Sequence, residues 1–172
     1  MAGVVTTFHV YLGNPKALQY RWHDLAVAVR DILQPAFPKN STRKLYVKST
    51  MSAPTLKMGE VLVYVAPSQG QSILARSFDI GVAASRAGFT IVSDVDGAAS
   101  EAYVAGTTSP GDLARVICHE ILHNKTPLET NALHKRGGLS ASPPGAPTVD
   151  DYRLLTRHLT APGKQWLGGF RG

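Results

Sequence analysis

One short run, Cys118-His119-Glu120-Ile121-Leu122-His123-Asn124, restricts what this chain can become more than any other stretch. It reads as the inner part of a helix. Ser109 takes the N-cap position, Pro110 the first helical position and Asp112 the acidic place of a capping box. Leu113, then Val116 or Ile117, then Ile121 recur at the spacing of a helix with one face on a sheet. Asn124 can end the helix, and Pro127 forbids its return. On such a helix His119 and His123 stand one above the other, and both rings can reach a single cation. Glu120 lies one step further round, close enough to take a proton from a water there without being a ligand.

The rest of the chain must build a domain around that helix. At 172 residues a single domain spanning 1–172 is expected, with 160–172 as a tail. Such a chain buries a core without staples, and Cys118, the sole cysteine, excludes an internal disulfide. Cys118 reads as a small buried hydrophobe. The opening MAGVVTTFHVYLG has no charged leader region and reads as a strand; no apolar run reaches the length of a membrane span. The expectation is therefore a cytoplasmic protein, or one exported without a cleaved signal peptide, with no membrane partner. Net charge is +6, but the basic residues are scattered, with small clusters at Arg43-Lys44 and Lys135-Arg136 and no nucleic-acid motif. That pattern predicts a solvated surface, no nucleic-acid partner and a monomer.

In chain order, 4–12 is β-branched and aromatic and predicts a strand. From Lys16 to Leu33 the residues Leu18, Trp22, Leu25, Ala26, Val29 and Leu33 recur at helical spacing, and Pro35 and Pro38 stop the helix. Strands are predicted over 43–50 and 60–66, then over 77–84 and 89–95, with a further edge strand over 101–106. Asp94-Val95-Asp96-Gly97 reads as a turn, because the later acidic ligands of a calcium loop are missing. Residues 125–147 read as a loop rich in Gly and Pro. Thr148 and Asp151 open a final short helix as a capping box, and Trp166 and Phe170 are candidate anchors in the tail.

A catalytic zinc site holds three protein ligands and leaves one position open. After His123 the candidates are His134, Glu129, and Asp150 or Asp151. His134 is preferred over Glu129, because the ten-residue loop after His123 is long enough to double back. The motif resembles that of the zincin metallopeptidases. Their gluzincin branch takes a glutamate from a second helix well downstream, and here no glutamate follows Glu129. The metzincin branch carries H-E-x-x-H-x-x-G-x-x-H. The stretch HEILHNKTPLE matches its first five positions but has Thr126 at the glycine and Glu129 at the last ligand. No methionine follows Met58, so that branch's methionine turn is missing; Asn131-Ala132-Leu133-His134 vaguely resembles it, with leucine in place of methionine.

The chain is thus similar to a compact, divergent zincin, nearest to metzincins. The resemblance implies an α+β, zincin-like fold: a mixed twisted sheet of about four to five strands against an N-terminal helix and the HExxH helix, with a short C-terminal helix. It implies Zn2+ on His119, His123 and His134, Glu120 as general base, and hydrolysis of peptide bonds in a protein or peptide substrate. Tyr152 or His158, on the last helix, is the candidate donor to the oxyanion. The 101–106 edge would pair with an extended substrate. Two other readings use the same residues: a non-catalytic binding or effector module of a phage or secretion system on this scaffold, and a zinc amidase acting on cell-wall cross-links.

Overall fold

Phe8, Val10 and Leu12 alternate with Thr7, His9 and Tyr11, and this period of two sets the faces of the sheet. In the computed structural model, which describes residues 7–13, 18–38, 42–51, 56, 59–82, 86–93, 97–126 and 128–159, the chain folds as α+β. Strands β1 (Thr7–Gly13), β2 (Lys44–Thr50), β3 (Glu60–Ala66), β4 (Gly88–Ser93) and β5 (Gly97–Tyr103) make one sheet in the order β2-β1-β3-β5-β4. The pairs β1–β2, β1–β3 and β3–β5 are parallel, and β4 runs antiparallel to β5 at the edge. The helices are α1 (Trp22–Leu33), α2 (Ile73–Phe78), α3 (Pro110–Lys125), α4 (Thr130–His134) and α5 (Val149–Leu159).

The main core lies on one face of the sheet. Phe8, Val10 and Leu12 of β1, with Val61, Val63 and Val65 of β3, pack against Leu25, Val29 and Leu33 of α1 and against Leu113, Ile117 and Ile121 of α3. Each such side chain contributes roughly 1.5–3 kcal/mol on burial, so this layer dominates the stability. Strand β3 is buried from Val61 to Ala66 because its other face is covered too. Leu62 and Tyr64 meet Leu74 of α2 and Ala99 of β5 there. Helix α3 touches α1, α5, β4 and β5. It is therefore buried nearly all round, and the residues it carries are held rigidly.

The start of α3 follows the capping logic. Ser109 Oγ accepts from the Asp112 N–H at 3.1 Å, and Asp112 reaches back to the N–H of Thr108. The helix runs one residue past Asn124, to Lys125. Asn124 does not terminate it; its side-chain amide donates to Ser100 Oγ instead, tying the helix to β5. The Thr148–Asp151 box opens α5 as expected.

Other expectations are corrected. Helix α1 begins at Trp22 rather than Lys16. No strand forms over the described part of 77–84, residues 77–82: 73–78 is helix α2, and Asp79 ends it in the left-handed region at φ 52°. The cause is tertiary. Buried Glu101 accepts from the N–H groups of Ile73 and Leu74, supplying the acceptors a helix start lacks. Nor is 101–106 an edge strand. Strand β5 is interior, paired with β3 on one side and β4 on the other, with Ser100 and Ala102 toward α3; the sheet edge beside α3 is β4. The 125–147 stretch contains α4 and a single turn of 3-10 helix at Gly138–Ser140. Asp94 to Asp96, Pro127 and the 160–172 tail with Trp166 and Phe170 lie outside the described residues. Among the described residues no helix is long and apolar enough to cross a membrane.

Candidate metal centre

Helix α3 presents His119 and His123 one turn apart, and α4 brings His134 to them. Leu133 is fully buried in the main core and pins α4, so the residue after it enters the cleft above α3. His123 Nε2 lies 3.0 Å from His119 Nε2 and 3.0 Å from His134 Nε2. One ligand atom from each ring falls within 4.8 Å of the others. The ring of His123 stands nearly perpendicular to both partners, at 79° and 81°. This triangle could hold a metal ion.

The tautomer of His119 is set by the backbone. Its Nδ1–H donates to the carbonyl of Leu139 at 2.8 Å, which leaves the Nε2 lone pair facing the triangle. That carbonyl is itself held in place. The buried carboxylate of Asp151 accepts from the N–H of Leu139 at 2.8 Å, from the N–H and hydroxyl of Ser140, and from the N–H of Thr148 at 2.8 Å. Asp151 is thus no part of the histidine triangle; it grips the turn that orients His119. Replacing it with alanine strands several buried donors. Asp151→Ala is expected to lower stability by about 3 kcal/mol, read as a fall in the urea midpoint at unchanged slope. An unchanged midpoint would show that the turn holds without it.

Glu120 lines the same cleft on its β4 side. It is only 4% exposed, and Thr90 Oγ1 donates to its carboxylate. Gly88 is needed opposite: a Cβ there would lie 2.5 Å from Glu120 Oε1. Burial pushes the Glu120 carboxyl up to about 7, against the lowering effects of the Thr90 hydrogen bond and the Arg86 charge. Burial also pushes His123 down to about 3, helped by the neighbouring His119 and His134 and by Arg86. Burial likewise lowers His119 and His134. The three imidazoles are therefore neutral at pH 7, with lone pairs available.

These groups line an open cleft of about 410 Å³, walled by Gly88, Phe89 and Thr90 of β4 on one side and by Ser142, Pro143 and Pro144 on another. Of the sequence candidates, His119, Glu120, His123 and His134 meet here. Glu129 is exposed at the start of α4 and stands outside the triangle. Asp150 is on the surface, paired with Arg153 at 3.2 Å. Tyr152 lines a separate cleft with Arg43, Val149 and Arg157, and His158, further along α5, is not among the residues lining the histidine cleft. Neither is placed to serve it. Sequence reasoning missed Arg86, Gly88, Thr90 and the Leu139 carbonyl, which carry no motif. The Gly137-Gly138 pair beside His134 was the one local hint of a tight turn there. No family model matches the chain, and no match is found among curated proteins or solved structures.

Proposed function

We propose that this protein is a compact zinc peptidase of the zincin type, hydrolysing peptide bonds at the histidine cleft. The reading rests chiefly on three imidazole nitrogens converging from α3 and α4 beside a buried carboxylate in an open cleft. The donor set fits zinc. Three neutral histidines are a usual zinc complement, and tetrahedral coordination at ordinary Zn–N lengths spaces ligand nitrogens by roughly 3.3 Å. The 3.0 Å separations lie near that value. A single proton on His123 Nε2 cannot bridge to both neighbouring nitrogens at once, whereas a cation accepts a lone pair from all three.

Zinc in such a site supplies Lewis acidity, making water acidic near neutral pH and polarising a carbonyl oxygen. Glu120 takes the proton from the attacking water and hands it to the leaving amine. Thr90 orients that carboxylate from behind, and Gly88 leaves room for it. Strand β4 is the sheet edge that borders the cleft, so an extended peptide can add to it through backbone hydrogen bonds. The Leu139 carbonyl and Asp151 keep His119 aimed.

Purified protein is expected to carry about one zinc per chain and to cleave an unfolded protein such as reduced casein. 1,10-Phenanthroline should stop cleavage and added zinc should restore it. Zinc without any cleavage would reduce the protein to a binding module on this scaffold. Neither zinc nor cleavage would end the reading altogether.

A further inference from the structure

The histidine cleft opens, toward the N-terminal end of α3, into a second depression of similar volume, about 410 Å³. The two share Arg86, Ala87, Val116, Pro143 and Pro144 as a common wall, so a chain lying in one continues into the other. Arg115 lines the second depression. It belongs to the same helical stripe as His119 and His123, at intervals of four residues, and stands one turn before His119, about 6 Å along the axis.

Arg86 stands between the two spaces. It lines the histidine cleft together with Glu120, His123 and His134 and lines the second depression as well. The ring of Phe89 supports it at 5.4 Å. Among the described residues Asp112 is the sole acid lining the second depression, and its Oδ2 already accepts from the N–H and hydroxyl of Thr108. Among the described residues neither arginine forms a salt bridge. Two arginines therefore line this space against one acid, Asp112, whose carboxylate already feels the Arg115 charge.

We propose that this depression is a subsite for a carboxylate on the substrate, held between Arg86 and Arg115. The occupant is the acidic side chain of a peptide residue. An extended chain advances about 3.3 Å per residue, so a separation of one helical turn places that residue about two positions from the bond beside Glu120. Arginine is suited to the task, since its planar fork meets a carboxylate through two parallel hydrogen bonds. The subsite rests on the peptidase reading in taking a peptide as its occupant.

The test uses the zinc-loaded Glu120→Gln protein and fluorescein-labelled, C-terminally amidated peptides of alanine and serine. Each peptide carries one Glu, Gln or Lys, moved position by position, and binding is read by fluorescence anisotropy. Glu at one position is expected to bind about tenfold more tightly than Gln there, with Lys weaker than both. The Glu preference should shrink at high salt, fall to near unity in Arg115→Gln, and return in part in Arg115→Lys. Equal affinity for Glu and Gln at every position overturns the proposal, as does failure of every peptide to bind. So does a preference untouched by both Arg115→Gln and Arg86→Gln. Wild-type protein that cleaves neutral peptides without acidic preference removes the subsite alone. A Glu preference in a protein that cleaves nothing removes the peptidase and leaves an acidic-peptide site.

Discussion

Glu120→Gln is expected to slow peptide cleavage by about 10²–10⁴-fold while the protein keeps its zinc and its fold. The substitution preserves shape, so the close approach of Gly88 and the donor contact from Thr90 survive it. It removes one property, the capacity to accept a proton from water and release it to an amine. Stability should hold or rise slightly, because a neutral amide in a site this buried escapes the desolvation cost that a carboxylate carries. Turnover of a fluorogenic peptide, alongside zinc content by atomic emission, checks both halves. Undiminished turnover would remove Glu120 from the chemistry.

His134→Ala is expected to weaken zinc binding by well over 100-fold, since loss of an outer-sphere partner alone costs about 10–100-fold. The consequence for stability is large. Zinc at about 1,000 times its dissociation constant stabilises a folded site by about 4 kcal/mol. For a domain of this size that raises Tm by about 8–16 °C. Scanning fluorimetry with and without zinc should register this shift in the parent and lose it in His134→Ala. Glu129→Ala should keep the shift, because Glu129 is exposed and outside the triangle. If His134→Ala retains the shift and Glu129→Ala loses it, the ligand assignment is reversed.

Both predictions depend on residues that local pattern could and could not identify. The α3 helix was legible because Ser109, Pro110 and Asp112 are start signals acting within a few residues of one another, and α5 was legible through Thr148 and Asp151 for the same reason. Stretch 77–84 misled because an acceptor distant in sequence, Glu101, stabilises the helix that precedes it. Stretch 101–106 reads as an edge strand, but sheet order is set by pairing with β3 and β4, and β3 lies far off in sequence. Ser100 and Ala102 of β5 face α3, as the hydrogen bond from Asn124 to Ser100 records.

The spacing of His119, Glu120 and His123 on one helix was determined by the sequence alone, because helical geometry fixes where residues four apart must point. The inventory of residues after His123 made His134 the preferred third candidate and left Glu129, Asp150 and Asp151 open; the structure brings His134 to the other two histidines. Only the tertiary structure decided that Tyr152 faces elsewhere, that Asp151 grips a turn, and that β4 with Gly88 and Thr90 forms the wall around Glu120. Those relations join segments tens of residues apart, and no local period or cap encodes them. They follow from which faces the core leaves open once α1 and α3 have buried theirs.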